Sequence, residues 1–225
     1  MSFELVIFDC DGVLVDSEAM SSRAHAELLT RHGYPITPEE VLRRFLGVSD
    51  REARLIVERE LGRTLPHDFD EQVKQATLRD SGDPLPIAHI DKAIAAIALP
   101  KCVASSGTPD KIRHGLTCAG LYDVLTPHLF SAVEVERGKP APDLFLFAAE
   151  RMNVVPERCI VIEDSVPGVK GAIAAGMTVL GFHGGSHCRD GHAELLRAAG
   201  AIATFEDMRQ LPALIGQIGV MAAAD

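Results

Sequence analysis

Hydrophobic positions along the chain follow two different rhythms, and the change between them falls near residue 87. The chain opens with Phe3-Glu-Leu-Val-Ile-Phe8, a mostly apolar, partly β-branched run that reads as a buried strand. From residue 17 to 86 the apolar positions recur at helical spacing and no strand pattern appears. Met20, Ala24 and Leu28 share one helix face, and Gly33 with Pro35 ends that helix. Thr37-Pro38-Glu39-Glu40 is a capping box with proline at the first helical position; it starts a short helix through Phe45 that stops at Gly47. Ser49-Asp50-Arg51-Glu52 is a second capping box, opening a helix that carries Ala53, Ile56, Val57 and Leu61 and ends at Gly62. A more polar helix is expected over Asp68 to Arg79, broken by the turn residues of 81–86.

Beyond residue 87 helices and strands alternate. Helices are expected over 90–99, 109–119, 142–152, 165–175 and 206–218, and strands over 102–104, 129–133, 159–162, 178–182 and 201–204. This alternation predicts βαβ units and a parallel sheet. The helical stretch 17–86 interrupts that core between its first strand and the rest. We read it as an insertion lying over the active end of the first strand, hinged near Asp16 and near Pro84 to Pro86. The Ala-rich end, Met221 to Asp225, is expected to fray.

Charge and composition narrow the partners. The net charge is −10 over 225 residues, which disfavours nucleic acid and anionic membranes. An anionic substrate would need a local cation or lysine to hold it. The chain is 47% hydrophobic with no Trp, so its core is built from aliphatic residues. Five cysteines, an odd number without Cys-x-x-Cys or zinc spacing, fit reduced thiols in a cytoplasmic protein. No signal peptide or membrane-spanning run is read.

The chemistry gathers at strand ends. Asp9 and Asp11 follow the first strand two positions apart, so they face one site at its carboxyl end, with Gly12 turning the chain away. Cys10, between them, points to the opposite face and reads as a small core residue. Ligands bind at that edge of open α/β sheets. Two adjacent carboxylates need a cation or a shared proton, and an all-oxygen donor set suits Mg2+. Ser105 and Ser106 end a second strand, Glu163 and Asp164 a later one, and Lys139 sits in the loop Arg137-Gly-Lys-Pro140. Asp9, Asp11 and Asp164 make a cation site. Ser105, with backbone N–H groups near Ser106 and Gly107 at a helix start, can hold phosphate oxygens, and Lys139 adds positive charge.

These pieces resemble the haloacid dehalogenase superfamily over nearly the whole chain. The likeness is carried by Asp9-Cys-Asp11-Gly12-Val-Leu-Val-Asp16-Ser-Glu18, by Val103-Ala-Ser105-Ser-Gly107, by Gly138-Lys139-Pro140-Ala-Pro142-Asp143 and by Glu163-Asp164-Ser165-Val-Pro-Gly168 with Ala174-Ala-Gly176. The helical insertion is similar to the cap of the superfamily's β-phosphoglucomutase-like phosphatases. Ser17-Glu18, Arg44-Phe45 and Gly47-Val48 are closer still to bacterial 6-phosphogluconate phosphatases. The resemblance implies an α/β fold with a Rossmann-like parallel core of residues 1–16 and 87–225 and an α-helical cap of residues 17–86. It implies a Mg2+-dependent phosphatase of small phosphorylated metabolites, sugar phosphates or sugar-acid phosphates such as 6-phosphogluconate. In that scheme Asp9 attacks phosphorus and forms an aspartyl-phosphate, and Asp11 is the acid and then the base. Mg2+ sits on the Asp9 carboxylate, the Asp11 backbone carbonyl and Asp164, with Glu163 as an outer or occasional ligand. Ser105 and Lys139 hold the transferring phosphoryl oxygens, with Ser106 and Gly107 beside them.

Other readings are separated by particular residues. Asp11 argues against dehalogenation. A phosphonatase needs a Schiff-base lysine in the cap, and Lys74, the only lysine there, lies in a polar helix without that motif. A β-phosphoglucomutase typically carries a histidine soon after Glu18, and the nearest here, His25, sits deeper in the helix. A sugar phosphomutase therefore stays open as the alternative, and a non-catalytic module binding a phosphate metabolite is more remote. Arg43, Arg44, Arg51 and Lys74 are cap candidates for a substrate anion, Arg44 foremost because it adjoins the Phe45-Leu46-Gly47 bend, and Gly47 in that bend is a further substrate-binding candidate.

Overall fold

In the first strand, β1 (Leu5–Phe8), all four side chains are buried, yet they serve two different cores. Val6 and Phe8 pack into an apolar cluster on one face of the sheet, Leu5 and Ile7 into a cluster on the other. An unbroken hydrophobic run is what a central parallel strand needs, because helices cover both of its faces. The computed structural model describes residues 3–81 and 83–221. The expected fraying of Met221 to Asp225 falls mostly outside them, at 222–225.

The chain continues through β2 (Val15–Asp16) and four helices, α1 (Glu18–Arg31), α2 (Pro38–Phe45), α3 (Asp50–Leu61) and α4 (Phe69–Ser81), to β3 (Leu85–Pro86). The alternating part follows with α5 (Ile90–Ala96), β4 (Lys101–Ser105), α6 (Pro109–Cys118), α7 (Tyr122–Leu125), β5 (Leu129–Ser131) and α8 (Asp143–Arg151). It ends with β6 (Cys159–Glu163), α9 (Val166–Ala174), β7 (Thr178–Phe182), α10 (His192–Ala199), β8 (Ala203–Phe205) and α11 (Leu211–Met221). Six strands form one sheet in the order β5-β4-β1-β6-β7-β8, every neighbouring pair parallel. β1 is therefore central, flanked by β4 and β6. No helix among the described residues is long and apolar enough to cross a membrane.

Helices α1–α4 have an apolar core of their own, built from Ala24, Leu28, Leu29, Val41, Val57, Phe69 and Val73 among others between residues 24 and 76. The capping box at Thr37 is complete, each partner accepting the other's backbone N–H. At Ser49 it is half formed: the hydroxyl accepts from Glu52 N, while the Glu52 carboxylate receives the Ser49 hydroxyl instead of its backbone N–H. Met20 leaves the expected core face and lines a cavity.

Several expected elements are corrected. The stretch 17–86 is not purely helical, because Leu85–Pro86 pairs antiparallel with Val15–Asp16 in a small ribbon where the chain leaves and re-enters the sheet unit. Helix α5 stops at Ala96, three residues short of the expected end. β5 stops at Ser131, because Ser131 and Glu134 form a capping box that starts a 3-10 turn over Ala132–Glu134. The closing helix starts only at Leu211, after a 3-10 turn capped by Asp207. α7 and α10 were not anticipated; α10 sits between Gly191 and Gly200, whose positive φ angles mark both of its ends. All five cysteines are free, and Cys10 belongs to the core cluster beneath β1.

Candidate active site

Parallel strands point their carboxyl ends the same way, so β1, β4 and β6 deliver Asp9, Ser105 and Glu163 to one edge. Asp9 extends β1 by one residue, its N–H donating to the Ile162 carbonyl (3.0 Å). Lys139, from the loop between β5 and α8, reaches under this edge, and its side chain is fully buried. Its Nζ donates to Asp9 Oδ1 at 2.6 Å and to Glu163 Oε1 at 2.7 Å. The peptide bond between Lys139 and Pro140 is cis. Glu163 Oε2 accepts from Asp164 N, Ser165 N and the Ser165 hydroxyl, each at 2.9 Å. With Oε1 on Lys139, Glu163 spends both oxygens on positioning its neighbours.

Asp9, Glu163 and Asp164 each present an oxygen within 4.8 Å of the others, and all three are buried. One ammonium faces three carboxylates there. Burial pushes the Asp9 carboxyl well above its ordinary range, Glu163 and Asp164 add to that, and Lys139 offsets only part of it. Burial opposes the Lys139 charge, but Asp9 and Glu163 outweigh it and keep the lysine protonated. Such a cluster is short of positive charge and offers only hard oxygen donors, so Mg2+ fits it. Gly12 keeps the cradle open. It has φ of +83°, and a Cβ there would lie 2.0 Å from Asp164 Oδ2.

Asp11 faces a second environment. The Ser17 hydroxyl donates to Asp11 Oδ1 instead of capping α1, and Lys111 Nζ lies 3.3 Å from Oδ2. Asp11 holds the Lys111 ammonium above its usual value. Partial burial and the nearby Asp11 charge push Glu18 up to about 7. Ser105 Oγ accepts from Gly107 N (3.0 Å), which leaves the hydroxyl proton free to donate.

The structure brings Asp9, Asp11, Ser105, Ser106, Gly107, Lys139, Glu163 and Asp164 to one edge, and Gly47 comes down on them from the helical part. The Gly47 carbonyl accepts the Ser106 hydroxyl at 2.9 Å, which commits that hydroxyl. Beneath Gly47 a cavity of about 20 Å3 separates Asp9 from Ser105, barely room for one water. Next to it a cavity of about 330 Å3 runs from Asp11 and Lys111 to Ser21, His25 and Lys74. Arg44 is not part of this site. Its guanidinium pairs with Glu60 (2.6 Å) and the Tyr34 hydroxyl and stacks on Phe45, because α3 places an acid directly across from it.

Three residues at the site were given no role by the sequence reading. Lys111 sits in the first turn of α6, where a cation opposes the helix dipole, and that misfit was a readable signal. Glu18 lies one turn into the helical part, against Asp11. His187, 3% exposed, lies with Nε2 2.9 Å from Asp164 Oδ2. Burial works against its charge, but Asp164 and Cys188 beside it push it up to about 11. No spacing rule links it to the acids.

A family model of haloacid dehalogenase-like hydrolases matches residues 3–176. The 6-phosphogluconate phosphatase of Escherichia coli (strain K12) is 38% identical over 94% of this chain and 94% of its own. A phosphorylated carbohydrates phosphatase of Thermotoga maritima is 31% identical over 89% of this chain and 93% of its own. Among solved structures, a haloacid dehalogenase-like protein of unknown function from Agrobacterium tumefaciens superposes with a TM-score of 0.81 at 39% identity, covering 96% of this chain and 99% of that one. A hydrolase from Deinococcus radiodurans with bound phosphate and sodium gives 0.73 at 29% identity over 97% of each chain. By this match and by its fold, the chain belongs to the haloacid dehalogenase-like hydrolases.

Proposed function

We propose that the protein is a phosphatase that hydrolyses a small phosphorylated metabolite, a sugar phosphate or sugar-acid phosphate, through an aspartyl-phosphate on Asp9. The observation that carries this is the buried Asp9 whose Oδ1 is held by Lys139, beside Asp164 and two residues before a second acid. Oδ2 is then the oxygen that attacks phosphorus, and the ester oxygen leaves. Asp11, oriented by Ser17, gives that oxygen its proton and later takes one from the water that cleaves the acyl phosphate. The free Ser105 hydroxyl and the Lys139 ammonium bind the phosphoryl oxygens where charge is handled. Mg2+, held by Asp9, Asp164 and the Asp11 backbone carbonyl with Glu163 behind them, would offset the repulsion between carboxylate and phosphate.

Residues 17–86 act as a cap in this reading, with the β2–β3 ribbon as hinge. Their separate apolar core supports it. The larger cavity is of a size for a small ligand. Its acids Asp50, Asp70 and Glu71 suit sugar hydroxyls, and Lys111 and Lys74 suit a substrate carboxylate. The relatives named as acting on 6-phosphogluconate and on phosphorylated carbohydrates point to the same substrate class.

The test is Mg2+-dependent release of inorganic phosphate from p-nitrophenyl phosphate, and then from a panel of phosphorylated metabolites. Asp9→Asn is expected to abolish turnover. Activity of the wild type no higher than that control would end the proposal. Return of the phosphoryl group to the sugar in place of free phosphate would make the protein a phosphomutase.

A further inference from the structure

A second cluster, with different donor atoms, adjoins Asp164. His187 and Cys188 come from the loop after β7, and His192 opens α10. One ligand-capable atom of each lies within 4.8 Å of those of the other two. His187 Nε2 is 3.4 Å from Cys188 Sγ. A tetrahedral zinc with Zn–N of about 2.0–2.1 Å and Zn–S of about 2.3 Å has ligand-to-ligand edges of about 3.3–3.6 Å. This pair already spans one such edge. His192 Nε2–H donates to the Asp164 carbonyl at 2.6 Å, which fixes the tautomer and leaves Nδ1 with its lone pair. Ligating histidines are oriented in this way, by a carbonyl on the nitrogen that does not bind the metal. His187 is 3% exposed, and its Nδ1 is buried with no hydrogen-bond partner, so the phosphate chemistry leaves this imidazole unexplained.

We propose that His187, Cys188 and His192 form a site for a thiophilic divalent metal of the Zn2+ class, joined through Asp164 to the oxygen-lined cradle of Asp9 and Glu163. Nitrogen and sulfur donors select such an ion, while the carboxylates select Mg2+. Binding takes the sulfur as thiolate and each ligating ring nitrogen by its lone pair, so the Cys188 thiol proton and any proton on His187 Nε2 leave to solvent. Asp164 Oδ2, buried without a hydrogen-bond partner and 2.9 Å from His187 Nε2, stands within reach of the new ion. Occupancy therefore withdraws Asp164 from the magnesium cradle and inhibits turnover. That consequence rests on the proposed phosphatase reaction; the metal site does not.

The full chain is titrated with Co2+ as a spectroscopic stand-in for Zn2+. The expected result is a near-ultraviolet thiolate-to-cobalt charge-transfer band that saturates at one equivalent, persists in excess Mg2+ and is bleached by Zn2+. Cys188→Ser removes the band, and His192→Ala weakens binding about tenfold or more. Cys118→Ser keeps it, although Cys118 lies in an exposed grouping with Asp83 and His114. No band in the wild type, a band that survives Cys188→Ser, or one lost in Cys118→Ser overturns the site. In phosphate-release assays with Mg2+, Zn2+ inhibits the wild type, and Cys188→Ser keeps basal turnover but needs about tenfold more Zn2+. A normal band without inhibition overturns the coupling through Asp164. A normal band in a protein that releases no phosphate at all overturns the phosphatase reading and leaves the metal site standing.

Discussion

Asp9 and Lys139 are 130 residues apart in sequence and 2.6 Å apart in space. Strand ends made that meeting legible: alternating elements imply a parallel sheet, and a parallel sheet collects its strand ends at one edge. What burial does to each group was not legible. Glu18 is a case in point, because its folded value of about 7 lies above the usual 4.5. A carboxyl raised on folding contributes stability below its unfolded value and loses it as pH rises through the folded one. With Mg2+ chelated, the protein should therefore lose up to about 1–3 kcal/mol between those two values through Glu18. Glu18→Gln removes the loss. Its melting temperature should exceed that of the wild type at about pH 8 and match it near pH 4.5, the unshifted value. Equal melting curves at both pH values would show that Glu18 titrates normally. Arg44 marks the opposite limit of sequence reading, since nothing in the Arg44-Phe45 stretch announces that Glu60, on the next helix, claims the guanidinium.

Elements with a strong period were read correctly in type, and those set by local turn chemistry were not. The Leu85–Pro86 ribbon strand is too short to carry a pattern, and α10 was hidden by the glycines that bracket it. Two elements carry direct tests of the proposed cap. At the end of α2 the chain turns at Gly47 with φ of +77°, and a Cβ there would lie 2.1 Å from Ser165 Oγ. Gly47→Ala should therefore push the cap away from the strand edge. We expect kcat/KM to fall about tenfold or more and the thermal midpoint to drop as well, because φ of +77° strains alanine whether or not the cap opens. Unchanged kinetics with lowered stability would mean that the closed contact plays no part in turnover. On α6, Lys111 faces both Asp11 and the larger cavity. Lys111→Ala should raise KM for a sugar-acid phosphate about tenfold or more and leave p-nitrophenyl phosphate less affected. An equal effect on both would place Lys111 on the phosphoryl group instead of on the far end of the substrate.

At the scale of the whole molecule, the protein carries ten more negative than positive charges, and it concentrates three buried acids around one lysine. Divalent cations can stabilise such a protein in two ways: by screening its surface, or by filling the cradle at Asp9 and Asp164. The two differ in size and in what abolishes them. A ligand that binds only the folded state at about 100 times its dissociation constant adds about 2.7 kcal/mol. For a chain of this length that raises the melting temperature by about 5–10 °C. Screening saturates with ionic strength and is reproduced by NaCl. Mg2+ should therefore raise the midpoint well beyond NaCl of matched ionic strength, and Asp164→Asn should reduce the shift to the NaCl value. Should Asp164→Asn respond to Mg2+ as the wild type does, the stabilising ions sit elsewhere on the acidic surface. The cradle would then have to meet its need for positive charge with protons, and the elevated Asp9 would be their first carrier.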